Sequence, residues 1–127
     1  MKQNLYLHEY LLMRYGKKLY QIAEHSPLSH RHAALVLDKR LEIICSGYNK
    51  YRNGQIKYSA QTRESDHAEC VALEKYQRVY KPRGRKAYLL YTGRANGTGM
   101  TFGKPCDECN QKIKELGLKL EYTRYSK

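Results

Sequence analysis

The sequence predicts an α/β fold: a three-layer α/β/α sandwich whose mixed sheet has four to five strands. Helical and strand periodicities alternate along the chain in the order α-β-β-α-β-α-β, which places helices on both faces of one sheet. With 127 residues, 41% of them hydrophobic, the chain can bury one compact core but not two. We therefore expect residues 1–127 to form a single domain.

The first half of the chain predicts a helix followed by a hairpin. Large side chains recur every three or four residues over 5–23, and Pro27 then interrupts the helical pattern. The short apolar run 33–37 is typical of a buried strand, and 42–49 follows as its antiparallel partner. The second strand therefore ends at Asn49 and places this residue at one edge of the sheet.

The second half predicts two further helix and strand pairs. One helix begins at His67 after a cap at Ser65 or Asp66, and a strand follows over 86–92. The other helix runs from Cys106 to Leu116, with the last strand over 118–125.

Two polar segments have no sustained periodicity and are predicted as loops. They cover residues 50–64 and 93–104, and the second contains too many glycines for a regular element. Loops of this length often carry function.

The charge is strongly basic, with 24 Lys and Arg against 12 Asp and Glu and a net charge of +12. The densest basic stretch, residues 75–86, contains no acidic residue. Such a field favours polyanions without specifying one, and a solvated helix end and turn explains the stretch equally well. The charge therefore favours an anionic ligand and selects none.

Nothing in the sequence predicts export or a membrane. The first fifteen residues mix polar side chains among the leucines, and no apolar run approaches the length of a membrane span. The four cysteines are then expected as thiols or metal ligands in the reducing cytoplasm, rather than as a disulfide framework.

Two helix starts carry the residues that point to chemistry. His67-Ala-Glu69 opens one predicted helix, and Pro105-Cys106-Asp-Glu-Cys109 opens another. Cys106 and Cys109 share a helix face, and the positive end of the helix favours their thiolates. One imidazole and two thiolates leave the fourth tetrahedral position of a zinc ion for water, the arrangement of a catalytic site.

Glu69 is not needed as a ligand in this arrangement. A carboxylate one turn from an activated water is suited to general acid/base catalysis, because it can carry the proton that the water loses. The pattern predicts a hydrolase.

The two motifs, H-x-E and P-C-x-x-C, are the signature of the zinc nucleobase deaminases. The chain resembles the cytidine/deoxycytidylate deaminase superfamily, and the strand that ends in Gly47-Tyr48-Asn49 resembles the corresponding strand of that family. The order of helices and strands matches as well, so the resemblance covers almost the whole chain.

The resemblance implies a role for six residues. His67, Cys106 and Cys109 would hold Zn²⁺, and Glu69 would move protons to the ring nitrogen and the departing ammonia. Asn49 would contact the sugar, and the N–H of Ala68 would meet the pyrimidine carbonyl.

The implied reaction is hydrolytic deamination of cytosine to uracil, with dCMP or CMP as the leading substrates. One alternative is a deaminase that acts on single-stranded DNA or RNA, on cytosine or, as in tRNA editing, on adenine. A second alternative is an inactive, zinc-containing nucleic-acid-binding module.

Four other residues leave alternatives open. Cys45 or Cys70 would supply a fourth ligand to a structural zinc site, or both would be small core residues. His30 and His32 would contact a substrate phosphate, or would form an exposed basic turn.

The short segment after Cys109 also leaves a sheet edge, which predicts a homo-oligomer.

Overall fold

The computed structural model describes residues 2–28, 30–51, 65–95, 100–101 and 107–123, and its architecture is the predicted sandwich. The elements in chain order are α1 (Lys2–Ala23), β1 (Arg31–Leu37), β2 (Ile43–Tyr48), β3 (Lys50–Tyr51), β4 (Ser65–Asp66), α2 (Ala68–Lys75), β5 (Leu89–Ala95), β6 (Met100–Thr101), α3 (Asp107–Glu115) and β7 (Lys119–Tyr122).

The main sheet is mixed, as predicted. Antiparallel pairs join β2 to β1 and β1 to β5. On the other side of β5, β7 pairs in parallel with its first half and β6 pairs antiparallel with its end. The strands β3 and β4 form a separate two-stranded sheet.

The two faces of the sheet carry different helices because side chains alternate along each strand. Ala33, Leu35 and Leu37 of β1 pack with Leu11 and Leu19 of α1, all of them fully buried. Burial of each leucine side chain contributes about 1.5 to 3 kcal/mol. This face anchors the long first helix.

The opposite face packs against α2 and α3. Ala34 and Val36 of β1 meet Ala72 and Leu73 of α2 and Ile113 of α3 in one buried cluster. Strand β1 is buried on both faces and therefore forms the centre of the sandwich.

The turn between β1 and β2 lies at one end of the sheet. The Asp38 carboxylate accepts hydrogen bonds from the N–H groups of Arg40 and Glu42. Leu41 adopts a left-handed backbone with φ of 65°, and its carbonyl accepts a 2.7 Å hydrogen bond from the Tyr15 hydroxyl. The turn is thereby fastened to α1.

Both boundaries predicted for the third strand are wrong. The third predicted strand, placed over 86–92, begins at Leu89 and continues to Ala95, into the segment predicted as a glycine-rich loop. Because β1 starts at Arg31 and offers backbone partners along its whole length, Arg31 pairs with Ala95 and Ala33 with Gly93. Sheet pairing outweighs the low strand preference of glycine here.

The start of α2 also differs from the prediction. Ser65 and Asp66, the predicted caps, lie in β4, and His67 is the capping residue with an extended backbone. After Lys75 the chain continues through a π-helical turn, Tyr76–Tyr80, and a short 3-10 turn. The Tyr76 hydroxyl donates to the Arg85 carbonyl and accepts from the Ala87 N–H, which fastens this turn to the approach to β5.

None of the helices in the described part of the chain combines the length and the hydropathy that crossing a membrane requires.

Candidate metal centre and active site

Four elements meet at the end of the sheet opposite the β1–β2 turn. Strand β1 begins there, while the antiparallel strands β2 and β5 end there. The pairing of Lys50 with Asp66 brings the chain that leaves β2 beside the start of α2. The residues of the first motif therefore lie at this end, next to Asn49.

Close approach between β2 and α2 requires a glycine at position 47. A Cβ built there would lie 2.7 Å from the Ala72 nitrogen and 3.1 Å from the Ala68 carbonyl oxygen. Real Cβ atoms essentially never approach another heavy atom to less than 3.0 Å. Gly47 thus lets the first turn of α2 rest directly on the sheet.

The imidazole and one of the thiols of the predicted metal site lie side by side. His67 precedes α2, and its Nδ1 lies 3.1 Å from Sγ of Cys109, a buried residue of α3. Sγ of Cys70 lies 3.7 Å from the same Cys109 sulfur. Residues 42 positions apart in the chain are therefore joined across α2 and α3.

The contact between His67 and Cys109 fits a shared zinc ion. Tetrahedral zinc bonds separate a nitrogen from a sulfur ligand by about 3.6 Å and two sulfur ligands by about 3.8 Å. The contact between His67 and Cys109 falls within about half an ångström of the first separation, and the 3.7 Å between the Cys70 and Cys109 sulfurs fits both a fourth ligand and a thiol that donates a hydrogen bond to the Cys109 sulfur. Cys106 lies outside the described residues, and those described include no group of three or more histidine, cysteine or acidic residues arranged to hold a metal.

Glu69 is buried in the first turn of α2, with 5% of its surface exposed. Burial raises the pKa of this carboxyl, while a hydrogen bond with its own backbone and the nearby His67 oppose the rise. A buried carboxyl with a raised pKa is better able to hold a proton than an exposed one. This property suits a general acid/base.

Ala68 is the first residue of α2 and is also buried. The first N–H groups of a helix have no carbonyl partner within the helix. The position of Ala68 is therefore suitable for the predicted contact between its N–H and a pyrimidine carbonyl.

The side chain of Asn49 bonds to the backbone that leads into β1. Its Oδ1 accepts a 2.8 Å hydrogen bond from the His32 N–H, and its Nδ2 donates to the His30 carbonyl. The Asn49 N–H also donates to the His32 carbonyl. Asn49 thus fixes the segment 30–32, a role that the sequence did not indicate.

Arg94 lies at the same end of the sheet and was not singled out by the sequence analysis. Its guanidinium Nη2 lies 2.7 Å from Nδ1 of His30, and Arg94 is paired across the sheet with His32. Burial lowers the pKa of His32 to about 4, with further lowering by Arg94, His30 and His67. Arg94 belongs to neither motif and lies in the segment predicted as a loop. Its position beside His32 follows from the strand pairing and has no signal in the sequence.

Cys45 is a small core residue and not a zinc ligand, which agrees with one of the two alternatives that the sequence left open for it. Its thiol donates to the Ala72 carbonyl at 3.5 Å, and burial raises its pKa to about 11, against the effect of Lys75 and Arg85. A protonated thiol is not a metal ligand.

Comparison with known proteins adds a family and a fold. The family model described as "Cytidine and deoxycytidylate deaminase zinc-binding region" matches residues 8–123. The dCMP deaminase from the cyanophage S-TIM5 in apo form superposes with a TM-score of 0.68 and 19% identity, over 91% of this chain and 83% of that chain. No curated protein matches the chain by sequence.

Two further solved structures are similar. The cytidine deaminase from Mycobacterium tuberculosis gives a TM-score of 0.60 at 18% identity, over 88% of this chain and 84% of that one. The S-TIM5 enzyme in complex with dCMP and dUMP gives 0.56 at 15%, over 91% and 96%. At such identities the likeness shows the fold, which confirms the predicted sandwich.

Proposed function

We propose, because the chain belongs to the cytidine and deoxycytidylate deaminase zinc-binding family, that it hydrolyses cytosine to uracil and ammonia, with dCMP or CMP as the substrate. The resemblance stated from the two motifs is thereby confirmed. The observation that carries the proposal is the buried Glu69 beside the contact between His67 and Cys109.

His67, Cys106 and Cys109 would hold the zinc ion. When bound, zinc activates a water molecule at neutral pH and so supplies the nucleophile. The family is described by its zinc-binding region, and the donor types in this chain, imidazole and thiolate, are those that zinc prefers.

Glu69 would carry the protons of the reaction. Deamination adds one water to cytosine and releases ammonia, so a proton must reach the ring nitrogen N3 and another must reach the leaving amino group. A buried carboxyl is able to accept the first proton and return it, because burial stabilises its protonated form.

Ala68 and Asn49 would orient the substrate. The N–H of Ala68 would donate to the pyrimidine carbonyl. Asn49 would contact the sugar with the remaining Nδ2 hydrogen or the second lone pair of Oδ1, since one of each is already used by the backbone of His30 and His32.

Replacing Glu69 by glutamine tests the proposal. We expect Glu69→Gln to lower ammonia release from dCMP or CMP by about 100-fold or more, the usual size of a general acid/base effect, while the zinc content of the protein stays the same. Ammonia release and metal content by mass spectrometry are measured on the same samples.

Glu74→Gln is the matched control, because Glu74 lies on the same helix but is exposed. We expect it to retain wild-type activity. A wild-type protein that carries zinc but releases no ammonia from cytidine, deoxycytidine or their monophosphates would refute the proposal. If Glu69→Gln lost zinc as well, the inactive zinc-containing module would be favoured.

The exposed basic segment supports a second candidate function, deamination within single-stranded DNA or RNA. Residues 81–86 are all exposed, and four of them are Lys or Arg. If several phosphates bind there, the affinity for oligonucleotides should fall steeply with salt concentration. Ammonia release from single-stranded DNA or tRNA, but from no mononucleotide, would establish this candidate instead.

A further inference from the structure

We propose that Arg94 and His30 bind the 5′-phosphate of the substrate and make the nucleotide preferred over the nucleoside. The inference rests on the proposed deamination of cytosine nucleotides. It assigns the residues of that site that bind the phosphate. Three observations carry it: the position of the two residues, their mutual contact and the lack of a carboxylate partner for Arg94 among the described residues.

The position follows from the strand register. Arg94 and His32 are direct partners across β5 and β1, at the end of the sheet where α2 begins. Side-chain alternation places both on the face of Val36 and Leu90, which is the face that packs against α2. His32 is also close enough to His67 for the two to interact electrostatically. Arg94 therefore lies on the side of the sheet that carries Glu69.

The contact between Arg94 and His30 leaves most of the guanidinium available. His30 is exposed and accepts one N–H of Arg94 at Nδ1. A guanidinium has five N–H donors in a planar fork, which matches two oxygens of a phosphate. The second ring nitrogen of His30, Nε2, then carries the hydrogen and is a further donor.

No carboxylate of the described residues forms an ion pair with Arg94; the ion pair found among them joins Arg85 to Asp38. The Arg94 guanidinium and the His30 imidazole lie in contact at this end of the sheet, in a protein of net charge +12, and both offer N–H donors suited to an anion. The Asn49 amide holds the backbone of His30 and His32 in place, which keeps His30 within reach of Arg94.

The test compares dCMP with deoxycytidine. We expect Arg94→Ala to lower kcat/KM for dCMP about 10- to 100-fold, the usual effect of losing a charge-assisted pair of hydrogen bonds, and to leave kcat/KM for deoxycytidine within about twofold. His30→Ala should act in the same direction with a smaller effect. Arg94→Lys, which keeps the charge but not the fork, should be intermediate.

Arg31→Ala is the matched control, since it removes the same charge from β1. Its position alternates with that of His32 and lies on the α1 face of the sheet. We expect the preference for dCMP over deoxycytidine to be unchanged in this variant. Equal losses on both substrates in Arg94→Ala, or the same effect in Arg31→Ala, would overturn the inference.

Binding of the products gives a second measurement that does not need turnover. Calorimetry should show that dUMP binds the wild type more tightly than deoxyuridine does, and that Arg94→Ala removes the difference. If the wild type deaminated nothing, the proposed function would fail, but this comparison would still decide the phosphate site. If Arg94→Ala weakened an oligonucleotide but not dUMP, the 5′-monophosphate would be excluded as the ligand.

Discussion

His32 illustrates how a single half-buried side chain makes stability depend on pH. Its pKa falls from an ordinary value of 6.5 to about 4 in the folded protein. As the pH drops below about 6.5, the unfolded chain binds a proton at this residue and the folded chain does not, so the free energy of unfolding decreases. The loss is complete only below the folded pKa.

We therefore expect His32→Gln to reduce the acid sensitivity of the protein. Between pH 7 and pH 4.5, the wild type should lose about 1 to 2 kcal/mol more unfolding free energy than the variant. Urea denaturation at the two pH values measures the difference. His25→Gln, at an exposed position, is the control, and parallel pH profiles of wild type and His32→Gln would contradict the expectation.

The cysteines near the metal centre are expected to differ in importance. Cys109 would be a zinc ligand, whereas the Cys70 thiol, at 3.7 Å, is placed to donate a hydrogen bond to the Cys109 sulfur. We expect Cys109→Ala to lose zinc and Cys70→Ala to keep one zinc ion per chain, as measured by metal analysis. Loss of zinc from Cys70→Ala would instead support the structural zinc site with Cys70 as a ligand.

At the scale of residues, the sequence predicted those that belong to short motifs. His67 and Glu69 could be recognised because their spacing forms the H-x-E motif. The structure places His67 against Cys109. Arg94 could not be recognised, because its importance comes from a partner 64 positions away in the chain. Asn49 was singled out, but its bonds to the backbone of His30 and His32 depend on tertiary structure.

At the scale of elements, the contact between β2 and α2 depends on one glycine. A methyl group at position 47 would meet backbone atoms of α2, which cannot move as a side chain does. We expect Gly47→Ala to lower the unfolding free energy by about 1 to 3 kcal/mol and to reduce activity, because α2 carries Glu69. Thermal denaturation and ammonia release measure the two effects.

Gly16→Ala is the matched control. Gly16 lies within α1, and a Cβ there would meet only the flexible end of Leu12, at 3.1 Å. Alanine also has the higher helix preference, by up to about 1 kcal/mol. We expect this variant to be neutral or more stable. A Gly47→Ala protein as stable and active as Gly16→Ala would show that α2 can shift without cost.

Local sequence patterns predicted the helices and strands themselves. The errors arose at strand ends whose position depends on pairing with a neighbouring strand. Periodicity indicated α1 because its buried side chains form one stripe along the helix. It indicated β1 because its buried residues form one continuous run. It misplaced β5 because the glycine at 93 argued for a loop, while pairing with β1 extends the strand to Ala95. The two-residue strands β3 and β4 are too short to leave a periodic signal.

At the scale of the whole molecule, the sheet has an edge. In the part of the chain that the structure describes, β2 pairs with β1 on one side and with no strand on the other. Exposed edges are commonly covered by association. We expect a homo-oligomer, and light scattering after size exclusion should give a mass that is a multiple of 14.9 kDa. A monomer at concentrations of tens of micromolar would contradict this expectation.

The length of β1 separates the two ends of the molecule. Its seven residues span about 20 Å, from His32 near the proposed phosphate site to the turn that contains Lys39 and Arg40. Both of these turn residues are exposed. A dye or a solid support coupled at this turn would leave the opposite end open, so that turnover by single immobilised molecules could be followed without obstructing the entry of substrate.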